Sequence, residues 1–141
     1  MFMALLLFLM TILIFWQVFA RFVMGSPLSF SEELARFMMV WLAFLGSAYA
    51  FRYGSLISMD LLVELFKGVW LKWLYVLIYM ISIGFAFILV VYGIDMMIRV
   101  EPQVAPSTRL SMMWPYLAVP VGGLLIFMNA LSLMIDTFKK N

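Results

Sequence analysis

Glu32, Glu33 and Arg36 place two carboxylates and a guanidinium within a single helical turn or so, the densest chemistry in this chain. Deep inside a membrane such groups could carry a proton or hold a cation, because coupled transport needs a side chain that changes charge or coordinates an ion there. The other charges come in similar small sets. Asp95 and Arg99 stand at i and i+4, Asp136 lies beside Lys139 and Lys140, and Asp60, Glu64 and Lys67 fall on one face if their segment is helical. Every set lies at the edge of an apolar stretch, so these charges read as boundary groups whose long side chains reach the headgroup region. The chain has no His and no Cys. Imidazole-ligated haem, iron–sulfur clusters, cysteine-based zinc sites, thiol nucleophiles and disulfides are therefore not expected, and the reading assigns this chain no catalytic residue, metal or cofactor.

The elements that position these charges are membrane helices. Hydrophobic residues make up 67% of the 141 residues and charged ones 11%, which leaves no polar surface for a soluble domain. Residues 1–20, 74–94 and 110–135 contain no charge. A hydrocarbon core about 30 Å thick needs roughly 20 apolar residues per helix, so each run can cross. Between Arg36 and Arg52 the charge-free run is too short to cross unaided. That span must recruit the preceding turn, where Ser29 and Glu32 fit a capping box and Glu32 and Arg36 form an i, i+4 pair. The expectation is a single all-α integral membrane domain over residues 1–141. Its four transmembrane helices fall near 3–24, 31–53, 70–99 and 112–138, with an interfacial amphipathic helix near 56–67 between the second and third. The first stretch lacks a basic lead and a small-residue cleavage pattern, so it reads as a retained helix.

An even number of spans puts both termini on one side. Arg52, Lys67, Lys72, Lys139 and Lys140 share that side, against Arg21, Arg36, Arg99 and Arg109 opposite, so the charge bias places both termini in the cytoplasm. The net charge of +2 and the absence of a basic run argue against nucleic acid as a partner. In the second span Ala43, Gly46, Ser47, Ala50 and Gly54 recur near helical spacing and form a groove where another backbone can approach. The stripe does not say whether that backbone belongs to this chain or to another. Gln17 and Asn129 are the uncharged polar residues expected to hydrogen-bond between helices. Trp16 and Trp41 lie inside spans and read as packing anchors. Pro115, Pro120, Gly122 and Gly123 are expected to kink the start of the last span for packing.

Residues 16–62 resemble the small membrane subunit, of the DctQ type, of tripartite ATP-independent periplasmic (TRAP) transporters. Gln17, Val18 and Arg21 end the first helix, Ser26-Pro27-Leu28 forms the turn, and Ser31-Glu32-Glu33-Leu34-Ala35-Arg36 opens the second. Trp41, Phe44-Leu45-Gly46, Ala48, Arg52, Gly54, Ile57 and Asp60 continue the pattern, and Trp114, Tyr116, Pro120, Val121 and Gly122 resemble the last span. Similar proteins often carry His where this chain has Leu56.

The resemblance implies a bacterial inner-membrane protein without catalytic activity. It would serve as scaffold for a large multi-span subunit that carries the sodium and organic-acid sites, dicarboxylate or sialic acid among them, and moves as an elevator. It also implies help in docking a periplasmic binding protein, with membrane lipids as the remaining partners. On this reading Arg21, Glu32, Glu33, Arg36, Trp41, Gly46, Ser47, Ala50, Arg52 and Asp60 are the candidate structural and interface residues. Two other classes compete. A stand-alone four-helix multidrug exporter would need an embedded Glu in the first span, which residues 1–20 lack. A structural or quinone-only subunit of a respiratory complex requires no such residue.

Overall fold

Helices dominate because lipid offers no hydrogen-bond partners, so a crossing backbone must satisfy its own N–H and C=O groups. The computed structural model describes the backbone of residues 1–23, 25, 29–65 and 69–139, and the side chains within these apart from 54–65, 69, 71, 72 and 138. Five helices follow in order: α1 Phe2–Val23, α2 Ser29–Leu65, α3 Val69–Val100, α4 Met113–Tyr116 and α5 Ala118–Lys139. Four stretches are long and apolar enough to span: Phe2–Val23, Ser29–Tyr53, Trp73–Val100 and Met113–Thr137. Gly25, at φ 66°, takes the left-handed conformation that reverses the chain after α1.

α2 differs from expectation. Its 37 residues run without interruption past Arg52 and Gly54, so residues 56–65 continue the second helix and do not form a separate one. An interior glycine costs about 1 kcal/mol relative to alanine but leaves the hydrogen-bond ladder intact, and no proline intervenes. At 1.5 Å per residue α2 is about 55 Å long, well beyond a bilayer core, so its last three turns extend past the apolar span. The faces of Asp60, Glu64 and their neighbours, on which the amphipathic reading rests, lie outside the described side chains.

The helices lie in the spatial order α1, α2, α5, α3, with α5 packed against both α2 and α3, and α1 resting on α2. On α1 the covered positions are Met3, Leu6, Met10, Leu13, Gln17 and Ala20. That alternating three-and-four spacing is the narrow seam of a helix with a single neighbour. Trp16 is 55% exposed and its ring meets Phe19 of the same helix, so it faces outward from this chain.

On α5, Ala118, Gly122, Ile126 and Ala130 recur every four residues and are all buried. Small side chains there let helices close on both sides. A Cβ on Gly122 would stand 2.7 Å from Phe44 Cβ of α2, and one on Gly123 would stand 2.9 Å from Leu89 Cβ of α3. Gly93 of α3 accommodates the Pro120 ring in the same way. Ala48, Ala86 and Ile126 form the core where α2, α5 and α3 meet. The break before α5 thus serves packing: Pro115 and Pro120 lack the N–H groups a continuous helix would use, and Leu117 separates α4 from α5.

Candidate partner interface

α2 carries three stripes, and they divide the candidate residues among them. Glu33, Phe37, Trp41, Phe44, Ala48 and Phe51 form a covered stripe toward α4 and α5. Ser31, Ala35, Met38, Leu42 and Leu45 form a second covered stripe, where α1 packs. Glu32, Arg36, Met39, Ala43, Ser47 and Ala50 form the third, and all six are exposed. The compact acidic and basic cluster of the sequence is therefore divided. Glu32 and Arg36 pair with each other on the outward stripe, and Glu33 turns inward.

Glu33 reaches a distant partner. Its Oε2 accepts the backbone N–H of Thr108 at 2.7 Å, which ties the start of α2 to the connection 101–111. That connection has its own framework: Ala105 N–H donates to Leu110 O, Arg109 N–H to Ala105 O, Met112 N–H to Gln103 O, and Ser111 Oγ to Glu101 O. Arg109 adopts φ 53°, an unusual backbone conformation for a residue with a side chain. Nothing in the composition of 101–111 marks Thr108 as a partner for Glu33. The bonded group is a main-chain N–H, which every residue but proline has.

Farther along the same stripe, Trp41 Nε1 donates to Trp114 O at 3.1 Å. Asn129 of α5 donates from Nδ2 to Ala48 O at 2.9 Å, as expected of a polar residue within a span, and its Oδ1 faces Arg52 at 3.5 Å. Glu33, Trp41, Ala48 and Arg52 thus place polar contacts along most of the α2 span, all directed to the second half of the chain. Hydrogen bonds between membrane helices contribute about 0.6 kcal/mol on average and reach about 1.7. Replacing Asn129 by Ala should lower stability by about 1–2 kcal/mol, because the Ala48 carbonyl and the Arg52 side chain each lose a contact. Chemical unfolding in detergent would measure it.

The outward stripe has a different character. Gly46, at its edge, would meet nothing within 4 Å if given a Cβ, and Ser47 uses its hydroxyl on Ala43 O of its own helix. Small residues here leave a shallow groove that this chain does not fill. The exposed faces of α1 and α3 instead carry bulky groups, among them Phe8, Phe15 and Phe22 on one and Ile81, Phe85, Ile88 and Tyr92 on the other. Those suit contact with lipid chains. Arg21 is exposed in the last turn of α1, where a cation complements the helix dipole. Asp60 belongs to α2 by its backbone, and its side chain is outside those described.

Asp95 and Arg99 pair at 2.9 Å, close to the end of α3. Among the described residues no group of three His, Cys, Asp or Glu could hold a metal ion. The arrangement is suited to holding helices in place and to presenting on α2 an uncovered stretch of small residues. The family model for the DctQ component of tripartite ATP-independent periplasmic transporters matches residues 10–140. A Haemophilus influenzae protein named for a TRAP transporter small permease is 41% identical over 56 residues, which cover 40% of this chain and 35% of that protein. The match thus spans about a third of the relative's length.

Proposed function

Because the chain belongs to the DctQ family of TRAP transporter small permease components, we propose that it acts as a fixed scaffold, seating α2's outward stripe against the large membrane subunit. The observation that carries this reading is the contrast among exposed faces: α2 presents Ala43, Gly46, Ser47 and Ala50 where α1 and α3 present large apolar groups. Membrane helices pack through small residues because these let backbones approach, whereas lipid contact gains nothing from them. The charged side chains of the four spans lie toward the span ends, which suits a subunit that leaves the coupling ion and the substrate to its partner.

In this reading the large subunit moves an organic acid with sodium, and a periplasmic binding protein delivers it. With both termini in the cytoplasm of a bacterial inner-membrane protein, the start of α2 and the connection 101–111 face the periplasm, where the binding protein arrives. The extension of α2 beyond Tyr53 then lies on the cytoplasmic side, in the headgroup region. The test is reconstitution. Uptake into liposomes should require this chain, the large subunit and the binding protein together, and the first two should purify as a complex. Uptake by liposomes holding this chain alone would overturn the scaffold role.

A further inference from the structure

The connection 101–111 folds on itself through bonds that do not involve Glu33, yet among the described residues only the Glu33 carboxylate ties it to α2 by a hydrogen bond. Beneath it is a recess of about 180 Å³ lined by Ser29, Glu32, Glu33, Arg36, Pro106 and Ser107. Arg36 lies three residues beyond Glu33 and four beyond Glu32, so on a helix it is within reach of either carboxylate. In the structure it pairs with Glu32, both side chains being about half or more exposed, and exposed pairs of this kind contribute little.

We propose that 101–111 is a reversible strap, held shut by Glu33 and released when the Glu33 carboxylate transfers to Arg36. In the closed state Glu33 makes a charge-assisted bond to the Thr108 amide, and Glu32 holds Arg36. In the open state Arg36 takes Glu33, water takes the Thr108 amide, and Glu32 is left in its exposed position. No buried polar group is stranded in either state. Apart from Ala105, which is buried, and the half-buried Thr108, the residues of 101–110 are exposed. Because the strap's own bonds survive, it moves as a unit and exposes the recess beside Ser29 and Glu32.

The two neighbours of Glu33 should act in opposite directions. Hydrogen exchange of the Thr108 amide, resolved by mass spectrometry with residue-level fragmentation on the full chain in lipid nanodiscs, reports opening, because this is the strap amide that opening frees. Glu33→Gln leaves an amide oxygen to accept the Thr108 N–H but removes the charge, which roughly halves the strength of the bond, so it should speed exchange about three- to tenfold. Glu32→Gln frees Arg36 to compete for Glu33 and should speed exchange several-fold. Arg36→Gln removes the cation that Glu33 pairs with in the open state and should slow exchange or leave it at the closed-state rate. Exchange in Glu33→Gln equal to that of the unaltered chain would overturn the latch. Arg36→Gln opening the strap as much as Glu33→Gln, or Glu32→Gln having no effect, would overturn the transfer. Neither of the latter variants touches the Thr108 bond, so they decide the matter even where Glu33→Gln fails to insert.

Discussion

Gly122→Ala, the addition of one methyl group, is expected to destabilise the chain by about 1–3 kcal/mol, in the range seen when extra atoms are forced into a packed core. The new Cβ would lie 2.7 Å from Phe44 Cβ, and both atoms are fixed to their backbones, so no rotamer change relieves the overlap. Ordinary carbon contacts lie near 3.5–4.0 Å, so α2 and α5 must separate by about 1 Å. The Asn129 bond to Ala48 O crosses this interface at 2.9 Å, and the Trp41 bond to Trp114 O, at 3.1 Å, joins α2 to the adjacent α4. Separation lengthens both, and hydrogen bonds weaken as they stretch and tilt. Gly84→Ala is the control, since a Cβ there meets nothing within 4 Å and alanine is the better helix former. It should leave the unfolding midpoint unchanged or raise it. Equal midpoints for Gly122→Ala and the unaltered chain would refute the close approach of α2 and α5.

The contrast between those two glycines shows what the sequence could and could not convey. Four spans, an all-helical fold and the break before the last span follow from hydropathy, length and two prolines, which are local properties. The Asp95–Arg99 and Glu32–Arg36 pairs follow from helical spacing, which is also local. Which neighbour a glycine serves is set by tertiary packing. Gly122 and Gly123 are adjacent in sequence and indistinguishable in type, yet one admits Phe44 of α2 and the other Leu89 of α3.

The candidate site was legible to the same degree. The stripe Ala43, Gly46, Ser47, Ala50 was readable as a groove, but only the placement of α1 and α5 on the other faces of α2 shows that this chain leaves it open. Trp16 and Trp41 looked alike because each lies mid-span. Their environments differ because α1 has one neighbour and α2 has several. The expectation of a separate interfacial helix rests on Asp60, Glu64 and Lys67 sharing one helical face, a pattern that says nothing of whether the helix is continuous with the one before it. An interior glycine costs only about 1 kcal/mol and leaves the ladder intact, and no proline intervenes, so the helix persists to Leu65.

If α2's outward stripe seats the large subunit as proposed, Ser47→Phe should leave the isolated chain as stable as before and cut its recovery with that subunit about tenfold. In this chain Ser47 is exposed on the outward stripe, and its hydroxyl bonds only to Ala43 O one turn back, so a larger side chain enters open space. Exposed substitutions away from packed features commonly change stability by no more than about 0.5 kcal/mol. Against a partner helix the outcome reverses. A benzyl group in a groove lined by Ala43, Gly46 and Ala50 holds the two backbones apart and removes the close contact that drives membrane helix association. Ile12→Phe on the outward face of α1 serves as the matched control, because Ile12 is exposed among other large apolar groups where lipid tolerates another. Pull-down yield and reconstituted uptake should fall together for Ser47→Phe and remain for Ile12→Phe. An equal loss in both variants would mean that bulk anywhere on the exposed surface disturbs the complex, and undiminished yield for Ser47→Phe would move the partner off α2 altogether.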